Sequence, residues 1–280
     1  MKTLKKIFMF TLLSAGLTLS AQSKSFEVVV EGSGQPILLF PGFTCTGEVW
    51  ENTVAELSKE YQCHIFTFAG FGNVPAIEKP WLSKIKDDIV EYVADNKLEN
   101  VIIIGHSLGG TLGLWLTSEE NSSYSKLIVV DALPSTGALM MPNFKSENMV
   151  YESPWNKQML EMDAPSFDAM ASQMASGMTL NTEKQKQIKD WILLADRETY
   201  VYGYTDLLKL DLREDIANIK TPVTLLAATH PYGIEMAKST YEGQYKKLET
   251  YEIEYADGSA HFIMYDKPEW FLEQIVKHIK

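Results

Sequence analysis

Cysteine is almost absent from this chain: Cys45 and Cys63 are the only two among 280 residues. That excludes a small fold stapled by several disulfides. Histidine is scarce too, with five in all, and no spacing of these histidines and cysteines assembles the four ligands of a zinc site. Neither a metal nor another cofactor is implied. Basic residues are outnumbered, 25 against 37 acids, for a formal charge of −12. A surface of that sign repels phosphate backbones and argues against nucleic acid as a partner. Long apolar runs are lacking as well. The most apolar stretch, residues 7–19, is too short to span a bilayer comfortably. With 45% hydrophobic and 22% charged residues the composition is that of a globular chain, so disorder is not expected.

What is present begins with a segment unlike the rest. Lys2, Lys5 and Lys6 precede the apolar run, Leu19-Ser20-Ala21 follows it, and no acid occurs before Glu27. A basic start, an apolar middle and a small residue at the cut make a signal peptide over residues 1–21, with the mature protein secreted or periplasmic and not inserted in a membrane. No cysteine stands at the cut to carry a lipid. An oxidising compartment would permit a Cys45–Cys63 bridge, but strands at 37–40 and 63–68, if parallel, hold the two thiols at opposite ends of a sheet. At ~3.3 Å per residue that is roughly 15 Å, beyond the reach of a disulfide. Two free, buried thiols are expected.

Beyond the leader, short apolar runs alternate with helical periodicity. Strands are expected at 26–30, 37–40, 63–68, 101–104, 127–130, 222–228 and 250–255. Helical spacing covers 48–61, 81–96, the stretch after 110, 234–247 and 268–279. Continuous apolar strands joined through helices predict an α/β fold, a mostly parallel doubly wound sheet covered on both faces. Residues 135–204 break the rhythm. They have helical patterns, no clear strand, and eight of the twelve methionines: Met140, Met141, Met149, Met159, Met162, Met170, Met174 and Met178. The division expected is a core of 22–134 and 205–280 with a helical lid inserted at 135–204. Flexible, polarisable methionines there suit either an adaptable apolar pocket or the packing of the lid itself.

The chemistry concentrates in Gly105-His106-Ser107-Leu108-Gly109-Gly110, between the apolar strand 101–104 and a helix. A nucleophile at the tip of a sharp strand-to-helix turn needs small neighbours, because side chains there would collide. The helix that follows aims its first amides and its dipole at charge developing beside Ser107. His106 points away from the serine and reads as a packing residue. Upstream, Phe40-Pro41-Gly42-Phe43-Thr44 also follows an apolar strand. It places the Phe43 N–H, with that of Leu108, where an oxyanion hole is needed. A serine hydroxyl is a poor nucleophile until a base takes its proton. His261, in the turn Asp257-Gly258-Ser259-Ala260-His261-Phe262 after the last strand, is the best candidate, since the base comes last in the order serine, acid, histidine. His230 follows the penultimate strand, and His278, in the closing helix, is expected in solvent.

With these motifs the chain resembles the α/β-hydrolase superfamily, over nearly all of its length beyond the leader. The resemblance includes Ala69-Gly70-Phe71-Gly72, Val130-Asp131, Thr221-Pro222-Val223 and Ala260-His261-Phe262 ahead of Lys267-Pro268. It implies a cofactor-free serine–histidine–acid mechanism, esterase- or lipase-like, beneath a variable lid. One departure matters: the loop Ala228-Thr229-His230-Pro231-Tyr232-Gly233 lacks the aspartate that members usually carry there. Some members place the acid after the strand that follows the nucleophile helix, where Asp131 stands; Glu235, or no acid at all, are the alternatives. The activity this implies is cleavage of a small carboxylic ester, thioester or lactone with a hydrophobic part through an acyl-enzyme on Ser107. Carbon–carbon hydrolase and acyltransferase chemistry stay open, as does a non-catalytic small-molecule binding protein on the same scaffold. A serine at the elbow disfavours dehalogenase and epoxide hydrolase chemistry, which needs an aspartate. Oligomeric state is not legible.

Overall fold

The computed structural model describes residues 25–280 apart from residues 121 and 142, so the stretch read as a signal peptide lies outside the described residues. Among these residues one seven-stranded sheet forms the frame: β1 (Phe26–Gly32), β2 (Gln35–Phe40), β3 (Tyr61–Phe68), β4 (Ile102–His106), β5 (Lys126–Val130), β6 (Val223–Ala228) and β7 (Glu252–Ala256). Their order across the sheet is β1-β3-β2-β4-β5-β6-β7. Only β1 runs antiparallel, pairing with β3; every other pair is parallel. Strand burial follows from that placement. Every residue of β4, central in the sheet, is buried, whereas edge strand β1 leaves Val29 and Val30 exposed.

Helices pack on the sheet through stripes at the expected period. In α1 (Glu51–Leu57) the buried residues are Thr53, Val54 and Leu57, and in α2 (Trp81–Asp95) they are Trp81, Leu82, Ile85 and Ile89. Helix α3 (Leu108–Ser118) is apolar almost all round, and each of its residues except Trp115 is buried. The periodicity over 48–61 is realised only in part. A 3-10 turn (Gly47–Trp50) and α1 use it up, and Tyr61 already opens β3, because its backbone pairs with Gln35 of β2. Sheet hydrogen bonding outcompetes helical spacing there. Cys63 lies opposite Ile37 at the start of β2 and Cys45 follows its end, so both thiols are buried and unbridged.

Between β5 and β6 the chain is helical: α4 (Thr136–Met140), α5 (Pro154–Glu161), α6 (Ala164–Met178), α7 (Thr182–Leu194) and α8 (Arg197–Lys209). Their starts are written locally. The side chains of Ser153, Asp163, Asn181 and Asp196 each accept a backbone N–H of the turn they cap, and Pro154 and Pro165 sit where no helical N–H is needed. Helix α8 docks on the core: Asp206 Oδ2 accepts the N–H groups of Trp81 and Leu82 at 2.7 and 3.1 Å, capping α2 from outside. The chain closes through α9 (Ile234–Tyr245), α10 (Ile263–Asp266) and α11 (Pro268–Ile279). His278 departs from the expectation of a solvated residue. Its side chain is 7% exposed and lies 3.3 Å from Glu252 and 3.5 Å from Glu254, because α11 packs against β7.

Candidate active site

Parallel pairing brings the ends of β2, β4, β5, β6 and β7 to one edge of the sheet, and the loops that leave those ends meet there. Ser107 joins β4 to α3 with φ 53° and ψ −119°, a left-handed conformation that costs a non-glycine residue about 1–3 kcal/mol. Close packing holds it there. A Cβ on Gly105 would lie 2.2 Å from the Gly109 carbonyl oxygen, and one on Gly109 would lie 2.3 Å from that of Phe40. Glycine is therefore the residue that lets β4, α3 and β2 approach closely enough to force the bend. The Leu108 N–H opens α3, where backbone donors have no partner within the helix. A Cβ on Gly42 would come 3.4 Å from Ser107 Cβ, so the loop carrying Phe43 presses against the serine. The Phe43 ring is fixed by Phe71, Trp81, Tyr200 and Tyr204, with centroids 5.0–6.0 Å away.

Asp131 leaves the end of β5 at φ 45°. Its Oδ2 lies 2.6 Å from His261 Nδ1, while Oδ1 accepts the Ala228 N–H at 2.8 Å and the Tyr241 hydroxyl at 2.9 Å. Burial pushes the carboxyl up, but the His261 ring, the Ala228 amide and the Tyr241 phenol outweigh it and hold the pKa below the usual value. Asp131 is therefore ionised at neutral pH, and Nδ1 of His261 carries the hydrogen toward it. Ser107, His261, Asp131 and Phe43 all line one pocket of ≈ 350 Å3. Among the described residues no hydrogen bond joins Ser107 Oγ to the His261 ring.

His106 is fully buried, and burial, with the nearby His261, lowers its pKa to about 3. Its Nε2 lies 3.1 Å from the His261 carbonyl oxygen, which only accepts, so Nε2 carries the proton of a neutral ring. The two rings are 4.7 Å apart. His106 thus packs against the His261 ring and ties down the backbone of His261. Glu235 does not approach His261; its side chain is 86% exposed and pairs with Lys238. His230 lines the pocket at its exposed side. The methionines of 135–204 divide: Met174 and Met178 line the pocket, Met159 is buried, and Met140 is largely exposed.

The alpha/beta hydrolase family model matches residues 37–274. The chain belongs to the alpha/beta hydrolase family. Among its relatives is a pimeloyl-(acyl-carrier protein) methyl ester esterase of Vibrio cholerae, 23% identical over 200 residues spanning 70% of this chain and 76% of that one. A 3-oxoadipate enol-lactonase of Acinetobacter baylyi is 21% identical over 260 residues, 90% of this chain and 92% of its own. The crystal structure of an enol-lactonase from Burkholderia xenovorans superposes with a TM-score of 0.74 at 16% identity, covering 91% of this chain and 96% of that one. Two features of this hydrolase escape sequence reasoning. Tyr241 on α9 reaches the Asp131 carboxylate, and His106 holds the chain at His261. Each contact joins residues more than a hundred positions apart, and no local pattern signals it.

Proposed function

We propose that this α/β-hydrolase is a serine carboxylic ester hydrolase, lactones included, acting on substrates with a hydrophobic part. The observation that supports the reading most is the 2.6 Å contact between Asp131 and His261 in the pocket that also takes in Ser107 at its strained bend. The relatives' names, a methyl ester esterase and an enol-lactonase, agree with ester bond chemistry.

In this mechanism His261 Nε2 takes the Ser107 proton as Oγ attacks the substrate carbonyl carbon. The negative charge that moves to the carbonyl oxygen is received by the N–H groups of Phe43 and Leu108, helped by the dipole of α3. Collapse breaks the ester C–O bond, and the leaving alkoxide takes the proton from His261. Water, deprotonated by His261, then attacks the acyl-enzyme and releases the acid and Ser107. Asp131 keeps Nδ1 protonated and stabilises the imidazolium throughout. The helices of 135–204 act as a lid: Leu139, Met174, Met178, Ile192 and Tyr204 supply one wall of the pocket.

A fluorophosphonate probe tests the reading. One equivalent is expected on Ser107 by mass spectrometry, none on Ser107→Ala, with turnover across a p-nitrophenyl ester series of rising chain length. A wild-type protein left unlabelled would instead be a binding protein on a hydrolase scaffold.

A further inference from the structure

The pocket walls carry a charge asymmetry. Leu133, Met174, Met178, Ile192 and Leu207 make its interior, and no lysine or arginine among the described residues lines it. Asp131 is the acidic side chain that does, and its carboxylate is ionised. The hydrogen bonds that stabilise this anion come from His261, Ala228 and Tyr241, so none of those donors is spare for a second anion. Farther out, Leu139, Tyr232 and Met236 line the pocket while remaining 55%, 81% and 56% exposed, an apolar mouth. The nearby cation on α9, Lys238, lies outside the lining, with its Nζ 3.3 Å from Glu235.

Resting on the ester-hydrolase reading, we infer that the pocket selects esters uncharged at both ends, with the chain running out over Leu139, Tyr232 and Met236, and turns away esters whose acyl chain ends in a carboxylate. A second carboxylate drawn inside loses its water, meets no lysine or arginine and faces Asp131 across a medium that screens poorly. An apolar terminus has no such cost, and it buries against the mouth. The reaction itself needs no lysine or arginine, because its oxyanion is met by backbone amides.

Three six-carbon substrates test this at pH 7.5 on the full protein: p-nitrophenyl hexanoate, mono-p-nitrophenyl adipate, and the adipate with its free acid methylated. The expected kcat/KM for the hexanoate is at least tenfold that for the free adipate, and methylation restores most of the loss, separating charge from length. In Met236→Lys the adipate gains at least threefold relative to the hexanoate. A free adipate hydrolysed as well as the hexanoate, or a methylated one no better than the free acid, overturns the inference. So does a protein that takes up the fluorophosphonate but turns over none of the three substrates. Absence of the Ser107 adduct, by contrast, defeats the ester-hydrolase reading, and this inference with it.

Discussion

Asp131 spends both of its oxygens. Oδ2 faces the imidazole and Oδ1 is occupied by Tyr241 and Ala228, so the carboxylate has one orientation open to it. Asp131→Asn presents an amide where an acceptor is needed and stabilises the wrong imidazole tautomer; kcat is expected to fall by about 10³–10⁴-fold with KM little changed. Steady-state kinetics on a p-nitrophenyl ester reads this, and a loss under tenfold would remove Asp131 from the role. Tyr241→Phe takes one of two donors from Oδ1. More negative charge then faces His261, so the acidic limb of the kcat/KM profile is expected to move to higher pH while kcat drops about tenfold. A tyrosine that only fills space would leave that limb in place. Ser107 and its glycines were legible in the sequence, since backbone sterics demand small residues within two positions of the bend. Tyr241 was not, since its partner lies 110 residues away, on the far side of residues 135–204 in the chain.

At the level of elements, two junctions set the geometry. The first is the crossing of α3 over β4 and β2, where Gly109 lies against the Phe40 carbonyl. Gly109→Ala must push these elements apart, at a cost of about 3 kcal/mol, and is expected to lose fluorophosphonate labelling together with several degrees of Tm. Full labelling at wild-type Tm would show that the crossing tolerates a methyl group. The second is the tether from α8 to α2. Asp206→Ala leaves the Trp81 and Leu82 N–H groups without their cap, and the urea midpoint should shift by an amount equivalent to about 1–2 kcal/mol. An unchanged midpoint would mean that water caps α2 equally well. The helices of 135–204 announced themselves through helical patterning and the lack of a clear strand, while their caps, Ser153, Asp163, Asn181 and Asp196, are local to the turns they close. Asp206 gave no such signal, because it caps a helix that starts 125 residues earlier.

For the molecule as a whole, two buried histidines govern the response to acid. His106 is lowered to about 3 and His64 to about 4, in both cases by burial first. His64 is satisfied as a neutral ring, donating from Nε2 to Gln62 and accepting the Tyr92 hydroxyl at Nδ1. Unfolded, both take up a proton near pH 6.5, so between 6.5 and about 4 the unfolded chain binds more protons than the folded one. Stability is therefore present at neutral pH and drains away as pH falls through that window, approaching ~2.7 kcal/mol per unit. Asp131, whose folded pKa is lowered, loses its contribution only below the ordinary carboxylate range. Calorimetry should show Tm dropping steeply from pH 6.5 to 4.5, with a shallower slope in His64→Gln; a flat Tm over that range would contradict both burial assignments.

The sequence by itself determined which residues could be strands and helices, where the sharp turn lay, and which serine and histidine could work as a pair. Those signals are short-range: side-chain period, glycine next to a bend, a histidine in the turn after the last strand. It did not determine that Tyr61 pairs in a sheet, that His278 is covered by its neighbours, or which carboxylate meets His261. Asp131 and Glu235 both follow strands, but Asp131 leaves β5 directly and meets the imidazole, whereas Glu235 lies in the first turn of α9 with its side chain in water. Contacts between residues a hundred positions apart depend on the path of the whole chain, which no window of sequence contains.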